Sequence, residues 1–309
     1  MNFIFDLDGT ICFKGRPVTQ HIMDTLKDLE QNGHQVIFAS ARPIRDLLPV
    51  IDHHFHSITL IGGNGSLISK GGKIIFSHAF SPVQLHAMER VIEAYKASYL
   101  IDGEWNYAYT GDPAHPLKSR VDPDGLAEEV KLEDLEQVVK IIVLDSADQE
   151  QVASKAEKLG LRVHRHQGEG IVDISPPGID KWSAIQEAGI KEKEYIAFGN
   201  DANDVEMFRH AKYAVMIGKH EELAHYADAA IPLDEACEEG IVAMLKDLAA
   251  KPAGKVKEKT YKPKGNNQRM KLWICRGSFF DQQINEIGGT YRRNNQSDRN
   301  LRRRQDRPR

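Results

Sequence analysis

The sequence predicts an α/β protein: a Rossmann-like parallel-sheet core with helices on both faces, plus an inserted α+β cap domain. Three observations predict it. Short apolar runs at residues 2–7, 35–40, 57–61, 195–198 and 213–217 lack polar alternation, as strands covered on both faces do. Helical stretches separate several of these runs, and strand–helix repetition argues for a parallel sheet. Between residues 81 and 179 the order changes to helices followed by alternating stretches, the pattern of a second α+β unit. The expected division is therefore a core of residues 1–80 and 180–251, a cap of residues 81–179, and a tail of residues 252–309.

The first run stops at Asp6-Leu7-Asp8-Gly9-Thr10. Two carboxylates two residues apart point to the same side at strand period. Like charges held together are costly unless something positive sits between them. This strand end therefore suggests a divalent cation and a nucleophile. Residues 19–32 follow with Ile22, Leu26 and Leu29 at helical spacing, Thr19 as N-cap and Gly33 as stop. The second run ends at Ser40, with Arg42 just beyond and a short helical stretch at 44–50. In Asp52-His53-His54-Phe55-His56 consecutive histidines cannot all face one ion, so this is read as a loop. After the third run, Gly62-Gly63-Asn64-Gly65 is either a hairpin turn or a turn beside the site.

The insertion predicts a helix at 82–96, strands near 105–109 and 138–144, a helix at 149–159, and strands at 162–166 and 170–174. Ser81-Pro82 and Ser175-Pro176-Pro177-Gly178 are its expected hinges. Within it, Trp105, Tyr107, Lys118 and Arg120 read as substrate-facing or as cap packing, and neighbours in His164-Arg165-His166 alternate faces. Lys181 opens a helix after the second hinge. The run at 195–198 leads into Gly199-Asn200-Asp201-Ala202-Asn203-Asp204, and helices are expected at 205–211, 221–227 and 240–248. In parallel sheets ligands bind outside the carboxyl ends of the strands. Asp6, Ser40, Asn64 and Asn200 all fall there.

Composition narrows the function classes. The chain is 41% hydrophobic and 28% charged, values of an ordinary soluble globular protein. No apolar stretch approaches the roughly 18 to 20 residues that span a bilayer, which predicts no membrane partner. No export signal is visible at the start, and Cys12, Cys237 and Cys275 are far apart without a CxxC spacing. They read as free thiols, so a cytoplasmic protein is expected. The net charge of −4 hides a split: residues 252–309 carry 16 basic and 5 acidic residues, leaving 25 basic and 40 acidic in residues 1–251. An acidic body does not recommend nucleic acid as a partner. The basic tail reads as disordered or appended, with RNA or an acidic membrane as weaker readings.

Taken together, IFDLDGT (residues 4–10), FASARP (38–43), the lysine of PPGIDKWSA (176–184) and FGNDANDVEMF (198–208) resemble the haloacid dehalogenase superfamily, most closely its Cof-type phosphatases with the cap inserted after the second motif. The resemblance covers residues 1–251 in matching order. It implies a Rossmann-like core, a Mg²⁺ cofactor and phosphate-ester hydrolysis through an aspartyl-phosphate. The residues admit the same roles on chemical grounds. A carboxylate attacks an anionic phosphate only when the charge between them is neutralised, which Mg²⁺ bound to carboxylate and phosphate oxygens can do. Asp6 is thus the nucleophile and a metal ligand, and Asp8 protonates the leaving oxygen and then activates water. The resemblance adds that the backbone carbonyl of Asp8 binds the metal. Ser40 hydrogen-bonds the transferring phosphoryl group, Arg42 holds substrate or phosphate with its fork of donors, and Lys181 balances charge in the transition state. Gly9 and Asn64 join the phosphate site, and Asn203 lies near it.

One position departs from the pattern. The family usually reads Gly-Asp-x-x-Asn-Asp, with the first Asp completing the metal site, whereas here Gly199 is followed by Asn200. Asn200 is expected as the ligand through its carbonyl, with Asp201 and Asp204 as alternatives or close neighbours. The expected activity is a Mg²⁺-dependent phosphoric monoester hydrolase acting on a small phosphorylated metabolite: a sugar phosphate, nucleotide or cofactor precursor. The alternative is a non-catalytic or weakly active metabolite-binding member, because of Asn200. A mutase is disfavoured by the short stretch between Asp8 and Ser40, and an ion pump by the lack of membrane spans.

Overall fold

The computed structural model describes residues 1–166 and 170–251; the expected tail, with Cys275, lies outside the described residues. In chain order the first strands are β1 (Asn2–Phe5), β2 (Gln35–Ala39), β3 (Leu60–Gly62), β4 (Leu67–Lys70) and β5 (Lys73–Ser77). They are followed by β6 (Ser98–Asp102), β7 (Tyr107–Tyr109), β8 (Lys140–Asp145), β9 (Arg162–His166) and β10 (Ile171–Ser175). The last are β11 (Tyr195–Gly199), β12 (Tyr213–Ile217) and β13 (Ala229–Ile231). The helices are α1 (Gln20–Gln31), α2 (Ile44–Leu47), α3 (Pro82–Ala94), α4 (Gln149–Lys158), α5 (Lys181–Glu187), α6 (Val205–His210) and α7 (Cys237–Ala249).

Eight strands form one sheet in the order β13-β12-β11-β1-β2-β3-β4-β5. The six from β13 to β3 pair in parallel, and β4 and β5 add an antiparallel edge. β1 is central, which explains its unbroken apolar sequence: Phe3 and Phe5 face one side and Ile4 the other. On the first side they pack with Ile22 and Leu26 of α1 and Ile241 and Leu245 of α7. On the second side Ile4 packs with Ile185 of α5 and Phe208 of α6. Burying each such side chain contributes roughly 1.5–3 kcal/mol, so the sheet is held from both faces. Thr19 caps α1 by accepting the Ile22 N–H, as its sequence position predicts.

Five strands form a second, antiparallel sheet in the order β7-β6-β8-β10-β9. Helices α3 and α4 cover one face through Met88, Ile92, Val152 and Ala156 against Ile101, Ile141, Val143 and Val172. At strand period, Leu100, Asp102, Lys140, Ile142, Ile171 and Asp173 point to the opposite face. That face lines a cleft against the carboxyl ends of the first sheet.

Two local expectations change. The predicted helix at 221–227 is only a short 3-10 turn at Leu223–His225, because Ala227 is followed at once by the Asp228 link to β13. The stretch between Gly65 and residue 80, given no strands by the sequence, holds the β4–β5 hairpin, which adds an antiparallel edge to the expected parallel-sheet core. No described helix is long and apolar enough to cross a membrane.

Candidate active site

Four parallel strands bring their carboxyl ends to one place. Asp6 follows β1 and extends the ladder by donating its N–H to the Phe198 carbonyl at 2.9 Å. Ser40 follows β2, Asn64 follows β3, and Asn200 follows β11. Lys181 arrives from the other direction, at the first position of α5. Its approach depends on Gly65, which sits at φ +110°, where a Cβ would collide with the Asp180 carbonyl just ahead of Lys181.

The centre is a buried triad of charges. Lys181 Nζ lies 2.6 Å from Asp6 Oδ1 and 2.6 Å from Asp204 Oδ1, and all three are buried. Burial pushes the Asp6 carboxyl up to about 7, against the opposing pull of Lys181. Burial also disfavours a charged Lys181, but Asp204 and Asp6 outweigh it and hold the ammonium above the usual lysine range. The lysine is therefore the fixed cation of the site. The second Asp204 oxygen accepts the backbone N–H groups of Asn200 at 2.9 Å and Asp201 at 3.2 Å, which fixes the turn after β11.

Asp8 lies apart from Asp6. The strand ends at Phe5, and the following turn carries the Asp8 side chain to the cleft rim, where it is 46% exposed. Arg42 grips it with both arms of its fork, Nε to Oδ2 and Nη2 to Oδ1, each at 2.7 Å. Ser40 Oγ accepts the Arg42 N–H at 3.1 Å, leaving the buried hydroxyl proton available to a ligand. The turn at Gly63–Gly65 places Asn64 at φ +59°, where its N–H donates to the Ser40 carbonyl at 3.0 Å. It serves both expectations, linking β3 to β4 while standing at the site. Asn203 donates to Asn64 Oδ1 at 3.0 Å, and Asn64 donates to Asp173 Oδ2 at 3.2 Å.

Asp6, Asp8, Arg42, Asn200 and Asn203 all border the cleft, whose volume is about 230 Å³. The second sheet supplies residues that sequence reasoning missed. Lys140 pairs with Asp173 at 2.8 Å and donates to the Ala41 carbonyl at 2.7 Å. Arg45, fully buried, pairs with Asp102 and lies 3.2 Å from Asp46, and Asp46 accepts the Asp122 N–H at 2.8 Å. Burial raises Asp46 to about 6 despite Arg45. The available signal was parity: Asp102, Lys140 and Asp173 interrupt apolar strands on one shared face. Arg120, singled out from sequence, does reach the cleft lining. Trp105 is anchored by donating Nε1–H to the Leu126 carbonyl at 2.6 Å, and Tyr107 packs beneath the Arg45 guanidinium.

The oxygens that could hold a divalent cation are Asp6 Oδ2, the Asp8 carbonyl and the Asn200 side chain. One amide group of Asn200 lies 3.0–3.1 Å from the first two, so the three converge on one point. They bring one carboxylate among them. Among the described residues no cluster of three His, Cys, Asp or Glu could hold a metal ion. Asp204 is committed to Lys181 and two N–H groups. Asp201 is turned to the rim, where it accepts the Ala202 N–H at 2.7 Å and sits 3.5 Å from His220. Of the three candidates, Asn200 stands beside Asp6 and the Asp8 carbonyl, whereas the Asp201 and Asp204 carboxylates have other partners. Gly9, at φ +79°, is needed here because a Cβ would collide with the Asn200 side chain.

Known proteins are similar to this chain in sequence and in fold. Among curated relatives, the 5-amino-6-(5-phospho-D-ribitylamino)uracil phosphatase of Escherichia coli is 24% identical over 226 residues, covering 68% of this chain and 82% of its own. The HMP-PP phosphatase of Cronobacter sakazakii is 25% identical over 227 residues, covering 69% and 82%. Among solved structures, a subclass IIB sugar phosphatase superposes with a TM-score of 0.63 at 21% identity, over 80% of this chain and 98% of that one. The phosphatase BT1666 of Bacteroides thetaiotaomicron gives 0.64 at 18% identity, over 79% and 94%. The model of the haloacid dehalogenase-like hydrolases matches residues 3–245. With its strand-end aspartates, buried lysine and second sheet, this chain belongs to the haloacid dehalogenase-like hydrolase family.

Proposed function

We propose that this protein is a phosphatase that hydrolyses a small phosphorylated metabolite through an aspartyl-phosphate on Asp6. The observation that carries the reading is the buried Lys181 ammonium at 2.6 Å from Asp6 Oδ1, with Asp6 itself bordering the cleft that Asp8 and Arg42 also line. The curated relatives named above, both phosphatases of small phosphorylated molecules by name, support it.

Asp6 attacks phosphorus through one carboxylate oxygen, and the bond to the leaving oxygen breaks. Lys181 stabilises the negative charge that builds on the phosphoryl group, at a buried site where such charge stabilisation is strong. Once released from Arg42, Asp8 takes up a proton from solvent, gives it to the leaving oxygen and later takes one from the water that attacks the aspartyl-phosphate, returning Asp6 as a carboxylate. For this, the Arg42 fork releases Asp8 and turns to the phosphoryl oxygens, which match it equally well. Ser40 donates its hydroxyl proton to the same group. Asp6 Oδ2, the Asp8 carbonyl and, after its amide turns, Asn200 Oδ1 would hold Mg²⁺. When bound there, the ion would neutralise charge between carboxylate and phosphate.

Residues 81–179 act as the cap that closes on the substrate and excludes water. The cleft is smaller than the roughly 300–1,000 Å³ of a typical ligand pocket, which favours a small leaving group. Leu100, Ile142 and Ile171 offer that group an apolar wall. Beside them Asp102 Oδ2, buried and with no hydrogen-bond partner among the described residues, offers an acceptor to a hydroxyl or ring N–H. The test is p-nitrophenyl phosphate turnover by wild type and Asp6→Asn, with and without Mg²⁺, and mass spectrometry of acid-quenched enzyme for phosphate on Asp6. Equal rates for wild type and Asp6→Asn would overturn the reading.

A further inference from the structure

We infer that the Asn200 amide stands in for the divalent cation in the resting protein, so that the cation enters tightly only together with a phosphoryl anion. The inference rests on the phosphatase reading above and concerns how its site is loaded.

The orientation of the amide follows from one proton. Thr10 has a single hydroxyl hydrogen, and it donates to Asp6 Oδ2 at 2.9 Å. Toward Asn200, Thr10 can therefore only accept. The Asp8 carbonyl and Asp6 Oδ2 are acceptors as well. With Asp6 ionised beside Lys181, the group facing all three is assigned as the NH₂ end, 2.9 Å from Thr10 Oγ1, 3.0 Å from the Asp8 carbonyl and 3.1 Å from Asp6 Oδ2. An amide nitrogen thus gathers the oxygens that a cation would gather, with a partial positive charge in place of a full one.

Two consequences follow. To ligate, Asn200 must turn half a revolution and present Oδ1, giving up these hydrogen bonds. The charge that greets the ion is also low. With Asp6 ionised, Asp6, Asp8 and Asp204 are balanced by Lys181 and Arg42 at 2.6–2.7 Å, so these five groups carry a net charge of one negative. An aspartate in place of Asn200 would make it two. A dication therefore leaves the site with a surplus positive charge, which a phosphate dianion removes. Coupling of this kind is reciprocal: each ligand tightens the other by the same factor.

The experiment is Mg²⁺ titration by calorimetry of the full chain, wild type and Asn200→Asp, with and without inorganic phosphate. Thermal melts in EDTA and in Mg²⁺ accompany it. Without phosphate, wild type binds Mg²⁺ at least tenfold more weakly than Asn200→Asp. Saturating phosphate tightens Mg²⁺ at least tenfold in wild type and by less in the variant. In EDTA the variant melts below wild type, because the added carboxylate faces Asp6 and the Asp8 carbonyl, and Mg²⁺ restores it. Equal affinities without phosphate, or no effect of phosphate on wild type, overturn the inference. If the variant does not fold, the two wild-type isotherms decide. Coincident isotherms with an inactive Asp6→Asn would remove only the role of Asn200, whereas an active Asp6→Asn would remove the phosphatase reading itself.

Discussion

Replacing Lys181 by Met tests the centre of the site most directly. The substitution keeps the length of the side chain and deletes a charge that is 2.6 Å from two buried carboxylates. Breaking a buried pair by removing one partner typically costs about 3–5 kcal/mol, and here two partners lose the same cation. Asp6 is already raised by burial to about 7, with Lys181 as the main opposing influence, so the variant carboxyl rises further. A carboxyl whose folded pKa exceeds its unfolded value contributes stability that is present at low pH and lost as pH rises through the folded pKa. Lys181→Met moves that loss to higher pH and deepens it. In EDTA, urea unfolding should therefore show a small penalty near pH 4 that grows through pH 7 and is about 3 kcal/mol or more at pH 8. Turnover of p-nitrophenyl phosphate should fall about 10²–10³-fold, the usual effect of deleting one electrostatic stabiliser. Adding Asp204→Asn removes one stranded carboxylate and should recover stability without recovering turnover. A Lys181→Met protein within tenfold of wild-type turnover, and less than 1 kcal/mol less stable at pH 8, would refute the argument.

Two further outcomes concern the second sheet and the helix α2 that meets it. Lys140→Met removes the cation 2.8 Å from buried Asp173 and should cost about 3–5 kcal/mol in chemical denaturation; adding Asp173→Asn should return at least half of that. Asp46 titrates at about 6, raised chiefly by burial, so wild type loses up to about 3 kcal/mol of its contribution as pH rises from 4 through 6. Asp46→Asn abolishes that loss, and stability curves against pH for the two proteins should converge or cross in this window; parallel curves would show that Asp46 does not titrate there.

Much of the site was legible because its residues sit at strand ends, where a polar residue after an apolar run has few structural uses. Asp6, Ser40, Asn64 and Asn200 fall together in the structure for that reason. Lys181 is legible only through the family resemblance added to its Pro-Gly turn, since a lysine at a helix start is ordinarily solvent-facing. Asp102, Lys140 and Asp173 were not singled out, because strand parity says only that they share a face; which face meets the core is a tertiary fact. The β4–β5 hairpin was missed although Lys70-Gly71-Gly72-Lys73 between two apolar runs is itself a turn signal. The sequence assigns Arg42 to substrate or phosphate, and in the structure its fork holds Asp8, the nearest carboxylate that matches it. The direction of the Asn200 amide had no sequence signal, because it depends on a single hydroxyl proton in Thr10.

The seam between the two sheets is fastened by polar links: Arg45 to Asp102, Lys140 to the Ala41 carbonyl, Asn64 to Asp173, and Arg162 to Asp180 at 2.9 Å. Groups of this kind regain hydration when parted, and burying them together returns about what desolvating them costs. Parting these links is therefore governed by the solvent, beside the apolar contact that Val139 and Trp105 make with the core of the first sheet. Ionic strength should act on substrate entry and product escape, and KM should respond to added salt more strongly than the melting temperature does.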